Sequence, residues 1–323
     1  MAILDSAPKI LIIKPSSLGD IIHGLQVAQS IKEQLPGCTI DWVVRERFFD
    51  IVDSCSTVDD IFIYYRKGGL SAFKKLIKQI RQKQYDYVFD FQGLLRSGIM
   101  TLFARGNKKV GRKDAREFSK FCYQQQVSLP KGKKPFHAMD ILLQFLPVLG
   151  LKAELVGHLQ YQTEDLTSID NRFASCNPIV IMPSSRNAKK EWQGFAELTD
   201  KILTAFPDEF ICWNGHIKIE ADKLEEHPRF INITGKTNIR QMISLIAQAR
   251  MVIANDSGPM HLAAAMHKPV IGIFGPTSAE RFGPYPLTRD TNVVITAPDN
   301  DLTKLSADAV FGVFKRNLRD YNT

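Results

Sequence analysis

Short apolar runs alternate along the chain with stretches of helical periodicity. Residues 10–13, 40–44, 61–64 and 87–91 are compact apolar runs bounded by polar turns, and they read as buried strands. Between them, residues 22–35, 70–82 and 94–103 repeat apolar positions every three to four residues. In the second of these Leu70, Phe73, Leu76, Ile77 and Ile80 fall at helical spacing. A further helix is expected over 137–149, ended by Gly150, and a polar stretch near 163–177 closes the first half. The pattern then restarts. Strands are expected at 179–182, 210–213, 251–254, 270–274 and 293–296, with helices over 192–206, 239–249 and 259–266. Alternation of this kind predicts parallel sheets covered by helices on both faces. Two successive α/β domains with a cleft between them is the economical architecture, and no internal repeat competes with it.

Composition changes this picture little. At 323 residues, two domains of about 150 residues can each bury a core. No stretch approaches the roughly 20 apolar residues of a membrane helix, and the first run is too short for a signal-peptide core. The five cysteines are odd in number, scattered and without a CxxC pair, which favours free thiols in a reducing cytoplasm.

Charge changes it more. The net charge is +8, and residues 1–160 hold 24 Lys and Arg against 15 Asp and Glu. Between Tyr64 and Lys134, 18 cations face only Asp86, Asp90, Asp114 and Glu117. Such a field is either a solvated surface or the match for a polyanion: a phosphorylated glycolipid, nucleic acid or an anionic membrane face. A nucleic-acid partner would call for regularly spaced aromatic groups or a known module, and neither is present.

Several motif-like stretches carry nothing. No GxGxxG follows the first run. In ITGKTN the first glycine of a phosphate loop would fall at Phe230. His261 and His267 are six apart and form no HExxH, so metal catalysis has no support. Three other stretches lie where a strand ends and a helix begins, the place where open α/β sheets collect ligands. In PSSLGD, Gly19 permits close backbone approach, and Asp20 is either a helix cap or a group facing a ligand. In MPSSRNAKKEW, Ser184 and Ser185 can donate to phosphate oxygens and Lys189 or Lys190 can neutralise charge; a solvated basic loop is the other reading. In ANDSGPMHLAAA, Asp256 or Ser257 can cap, Gly258 removes a side chain and Pro259 suits a first helical turn. That makes either an anion site facing His261 or a capped helix without a ligand. GIFGPT, after the next strand, would wall the same pocket.

Together KPSSLGDIIHGL, DFQGLLRSG, PSSRNAKKEW, NDSGPMHLAAA and IFGPTSAERFGPY, in this order over nearly the whole chain, resemble the ADP-heptose:lipopolysaccharide heptosyltransferases. The first and third stretches are most similar to those members that add the first heptose to Kdo-lipid A. The resemblance implies two Rossmann-like domains facing a cleft, the GT-B type glycosyltransferase fold. Residues 1–165 would bind the acceptor and residues 166–304 the nucleotide sugar, with a final helix in 305–323 crossing back to complete the first domain. It implies Asp20 as catalytic base and Lys190 on the phosphate side of the donor. Ser184, Ser185, Glu220, Asp256, Ser257, Gly258 and His261 would line the donor site. Ser17, Gly19, His23, Gln92, Arg66, Lys67 and Arg116 would meet the acceptor. Pro15 stands where the family pattern has threonine, and Ser184-Ser185 where it has a threonine pair.

The activity so implied is inverting transfer of heptose from ADP-heptose to Kdo of the lipopolysaccharide inner core, without metal or cofactor. The enzyme would lie in the cytoplasm, peripheral on the inner face of the inner membrane and attracted to its anionic headgroups. Another glycosyltransferase of the same fold, including one adding a second heptose, a nucleotide-sugar epimerase and a nucleic-acid-binding protein are the competing readings.

Overall fold

A computed structural model describes residues 7–132 and 135–320. Lys133 and Lys134, which end the cationic segment, and the last three residues of the 305–323 segment lie outside the described residues. The chain divides into two compact units between Gln162 and Thr163.

The first unit is built on six parallel strands: β1 (Lys9–Ile13), β2 (Thr39–Arg45), β3 (Asp60–Tyr64), β4 (Tyr85–Asp90), β5 (Gly106–Arg112) and β6 (Gln125–Val127). Their order is β3-β2-β1-β4-β5-β6. The chain moves from β1 to one side, then returns to place β4 on the other, with Ile13 level with Asp90. The switch point of the sheet therefore lies at the carboxyl ends of β1 and β4. Helices α1 (Leu18–Gln34), α2 (Phe49–Asp53), α3 (Gly69–Ile80) and α4 (Leu95–Phe103) connect the strands, and α5 (Ala138–Leu143) follows β6. Residues Ile10 to Ile13 are fully buried, as a central parallel strand covered on both faces requires. On α3, Leu76 and Ile80 face the core while Lys74, Lys75 and Lys78 stay exposed.

The second unit repeats the plan. Strands β7 (Ile179–Met182), β8 (Ile211–Trp213), β9 (Phe230–Asn232), β10 (Met251–Asn255), β11 (Val270–Phe274) and β12 (Asn292–Thr296) pair in the order β12-β11-β10-β7-β8-β9, all parallel. Its switch point is at the ends of β7 and β10, where Met182 is level with Ala254. Helices α6 (Phe195–Ala205), α7 (Ile239–Gln248), α8 (Gly258–Ala265), α9 (Ala279–Phe282) and α10 (Ala307–Asp320) complete it.

Several elements differ from the pattern read in the sequence. β5, β6 and β9 escape it because they lie toward sheet edges. β5 (GNKKVGR) buries only Val110 and Gly111, and β9 has just three residues. The helix expected over 137–149 stops at Leu143 and resumes as a separate turn, Leu146–Leu149, because Pro147 has no N–H to bond back to residue 143. The final helix, expected to complete the first domain, instead packs its buried face into the second unit. Val310, Phe314 and Leu318 join Leu198 and Ile202 in one apolar core, and Lys201 Nζ meets Asp308 at 2.8 Å.

Candidate functional site

In the first unit the chemistry gathers at the switch point. Ser17 caps α1 and Asp20 occupies its third position. Asp20 is thus not the cap but the group answering it. Its Oδ2 accepts from Ser17 N at 3.1 Å and from Ser17 Oγ at 2.6 Å. Its Oδ1 is approached by Lys14 Nζ at 3.6 Å. Lys14, the residue after β1, is 2% exposed, whereas Asp20 is 45% exposed. The Lys14 ammonium donates to the Phe91 carbonyl at 3.4 Å, and Arg112 donates to the same oxygen at 3.3 Å. Arg112 is in turn held by Asp114 through two bonds of 2.9 and 2.7 Å.

Behind this layer Asp90 is fully buried at the end of β4. It accepts from the backbone N–H groups of Gln92 and Gly93 at 2.8 and 2.9 Å and from Tyr123 Oη at 2.7 Å. The Tyr123 ring reaches it only because residue 111 is glycine: a Cβ there would lie 2.1 Å from the ring. The turn so fixed places Gln92, whose Oε1 accepts from Ser16 N at 3.3 Å.

Charges respond to this arrangement. Burial pushes the Asp20 carboxyl up, but the Lys14 charge and the two Ser17 bonds outweigh it and hold the group well below the usual carboxylate range. Burial lowers the Lys14 pKa, with Arg112 adding to the effect and Asp20 and Asp90 opposing it. Burial raises Asp90 despite the bonds from Gly93, Tyr123 and Gln92. The unit therefore presents a half-exposed carboxylate that is ionised throughout the physiological range.

The second unit gathers its polar groups at the equivalent edge. Asp256 follows β10, and its Oδ2 accepts from Lys190 Nζ at 2.6 Å and Thr277 Oγ1 at 2.7 Å. Here the carboxylate is 7% exposed and the ammonium 26%. Lys190 ends a short turn, Ala188–Lys190, capped by Asn187. Trp192 N, bound to Asn255 Oδ1 at 3.0 Å, fixes the loop on the end of β10. Ser257 caps α8, with Gly258 and Pro259 in its first turn. Its hydroxyl is buried without a hydrogen-bond partner. The amide nitrogen of Asn214, just after β8, is orphaned in the same way. Two unsatisfied buried donors at the carboxyl edge of one sheet, one beside a helix N-terminus, suit an anionic or polar ligand.

Other sequence candidates fall around these two centres. Ser184 Oγ contacts His216 Nδ1 at 3.3 Å, with Gly215 leaving the space a Cβ would take 2.5 Å from that hydroxyl. Ser185 N donates to Glu191 at 2.7 Å. Gly19 lies in the first turn of α1 and His261 inside α8, 8% exposed. His23 is 3% exposed, its ring edge-on to His137 at 5.6 Å, and does not reach the surface in this structure. Glu220 is exposed and paired with Lys218 at 2.6 Å. Arg66 and Lys67 follow the edge strand β3, with Arg66 N on Glu46 at 3.3 Å. Arg116 holds Gly93 through its backbone at 2.9 Å. Lys14 and Tyr123 were not singled out in the sequence; Asp90 entered only as one of four acidic groups in the cationic segment, Arg112 only as one of its cations facing the acceptor, and Thr277 only as the end of GIFGPT. The one local signal was a charged residue directly at the end of an apolar run, true of Lys14 and Asp90.

Among the described residues no helix is long and apolar enough to cross a membrane, and no group of three His, Cys, Asp or Glu is placed to hold a metal ion.

Residues 73–309 match glycosyltransferase family 9 (heptosyltransferase). The chain is 30% identical over 298 residues to the lipopolysaccharide core heptosyltransferase OpsX of Haemophilus influenzae, covering 88% of this chain and 84% of that protein. It is 27% identical over 330 residues to lipopolysaccharide heptosyltransferase 1 of an Escherichia coli O18:K1:H7 strain, covering 96% and 98%. Among solved structures, E. coli heptosyltransferase WaaC with ADP matches with a TM-score of 0.78 at 24% identity, covering 96% and 99% of the two chains. E. coli ADP-heptose lps heptosyltransferase II matches at 0.79 and 20%, covering 98% and 100%. The shared fold is a pair of parallel-sheet α/β domains of GT-B type.

Proposed function

The chain belongs to glycosyltransferase family 9, the heptosyltransferases, and from that premise we propose that it moves heptose from ADP-heptose to Kdo of the lipopolysaccharide inner core, with inversion. It is a glycosyltransferase of lipopolysaccharide core assembly. The observation that carries the finer reading is the half-exposed, ionised Asp20 carboxylate at the first switch point.

In this reading an acceptor hydroxyl donates to Asp20 Oδ1. As its oxygen attacks the anomeric carbon, the proton passes to the carboxylate and the bond from that carbon to the β-phosphate oxygen breaks. A single displacement inverts the anomeric centre. The leaving ADP needs charge neutralisation more than a proton. Lys190 supplies a cation, the first amides of α8 supply donors, and the orphaned Ser257 hydroxyl gains a phosphate partner. No metal takes part in this scheme, so turnover persists in excess chelator. Ser184, Ser185, Glu220, Gly258 and His261 belong to the donor side. Ser17, Gly19, Gln92, Arg66, Lys67 and Arg116 belong to the acceptor side, where cations suit a substrate rich in phosphate and carboxylate; His23, buried against His137, lies behind it. The enzyme then works in the cytoplasm, at the inner face of the inner membrane where that lipid resides.

The test is ADP release by purified protein. The reading expects release from ADP-heptose only when Kdo-lipid A is added. Release without acceptor, or release only with an acceptor that already carries the first heptose, contradicts it.

A further inference from the structure

The connection from β5 to β6 carries two phenylalanines that fold into no core. Phe118 is 80% exposed and Phe121 84%. Phe118 precedes and Phe121 lies within the short turn Ser119–Cys122, which packs on α4: a Cβ on Gly98 would lie 2.9 Å from Ser119 and 3.1 Å from Cys122 Sγ. Leu95 and Leu102 stand three residues before and four after Gly98, on the same stripe of α4, and both are exposed, as is Phe103. Leu95 N donates to Glu117 at 3.1 Å, tying the turn to the start of the helix. Five large apolar side chains thus lie exposed on one supersecondary unit, more than scattered surface hydrophobes require.

Two more observations indicate what covers them. The backbone of Glu117 and Phe118 is left-handed, with φ of 55° and 61°, a conformation that bulky side chains avoid. The Arg116 N to Gly93 O and Ser119 N to Arg116 O bonds hold it there. The fold thus retains an unfavourable backbone that leaves Phe118 outward, a feature associated with function. The same segments expose five cations, Arg96, Arg105, Lys113, Arg116 and Lys120, against two acids, Asp114 and Glu117. Aromatic and leucine side chains accompanied by cations have the composition of an interfacial anchor, with apolar groups entering the acyl boundary and cations meeting headgroup phosphates.

We propose that the Leu95–Leu102 face of α4 and the Phe118–Phe121 turn form a docking surface for an anionic phospholipid bilayer. Through Arg116 and Gly93 the turn is joined to the β4 end, the same sheet edge that presents Asp20. A bilayer held there brings lipid-borne acceptors to that edge. The contact is independent of which sugar is transferred and requires neither donor nor acceptor.

The experiment is sedimentation of the full chain with vesicles of phosphatidylcholine alone or with about a third phosphatidylglycerol. Binding to the anionic vesicles only, weakened by salt, is expected. The double substitution Phe118→Ser with Phe121→Ser should weaken it on the order of 100-fold, while turnover of a water-soluble acceptor is retained. Lys113→Glu with Lys120→Glu should weaken it on the order of 10-fold or more. Phe118→Gly separates this role from a structural one: it should raise Tm, since glycine accepts the left-handed backbone, and still lose vesicle binding. Equal binding by wild type and the phenylalanine variants overturns the proposal. So does binding only to vesicles containing the acceptor lipid, or a wild-type dimer that these variants dissociate while vesicle binding is unchanged.

Discussion

The two units share one strand order, and each sets a lysine and an aspartate at the switch point of its sheet, but the pairs are built inside out. In the first unit the lysine is buried and the carboxylate opens to solvent; in the second the aspartate is buried and the ammonium is the more open partner. The spacing differs as well. Lys14 and Asp20 stand 3.6 Å apart, beyond hydrogen-bond distance, whereas Lys190 closes to 2.6 Å on an Asp256 already bonded by Thr277. The same topology therefore displays a negative group on one sheet and a positive group on the other. One can take a proton, and the other can meet a phosphate.

The largest effect should come from removing the open negative group. Asp20→Ala should lower kcat on the order of 100-fold or more, with the Kd for ADP little changed. Near-normal turnover in a folded variant would remove Asp20 from the chemistry. On the other sheet, Lys190→Ala should lower kcat about 100-fold and also weaken ADP. An effect on acceptor KM alone would break the comparison.

A smaller effect sharpens the electrostatics of the first pair. The folded-state pKa of Asp20 is depressed, so its contribution to stability is present above the ordinary carboxylate range and is lost as pH falls through the depressed value. Its ionised form, and any rate depending on it, should persist to equally low pH. Lys14→Met removes the opposing charge, so the acid limb of kcat/KM should move up toward the ordinary value of about 3.9. An unmoved limb in a folded Lys14→Met enzyme would mean that Lys14 does not set the state of Asp20.

The smallest effect is on the scaffold. Gly111→Ala should force the Tyr123 ring off Asp90 and cost about 1–3 kcal/mol, seen as a fall in Tm. A neutral result would show that the Tyr123–Asp90 contact can shift freely.

Much of this was legible from local pattern. The central strands announce themselves as apolar runs, and the glycine, serine and aspartate residues at their ends mark both switch points. Thr277 was implicit in GIFGPT as a pocket wall, although nothing local shows that it bonds Asp256. Lys14 was hidden for a different reason. A lysine ending a strand ordinarily leads to solvent, whereas this one is buried at 2% exposure and donates to the Phe91 carbonyl far along the chain. Tyr123 and Gly111 were hidden likewise, since β5 has too little apolar character to be seen as a strand. The assignment of α10 failed because an amphipathic helix declares its apolar face but not the core that receives it.

The most direct measurement is the Kd for ADP by calorimetry in two charge-removing variants, Asp20→Asn and Lys190→Gln. If the first sheet displays the base and the second the phosphate site, Asp20→Asn should bind ADP as the wild type does, and Lys190→Gln should bind about tenfold more weakly. Weakened ADP in Asp20→Asn with wild-type binding in Lys190→Gln would contradict the assignment of the two sheets.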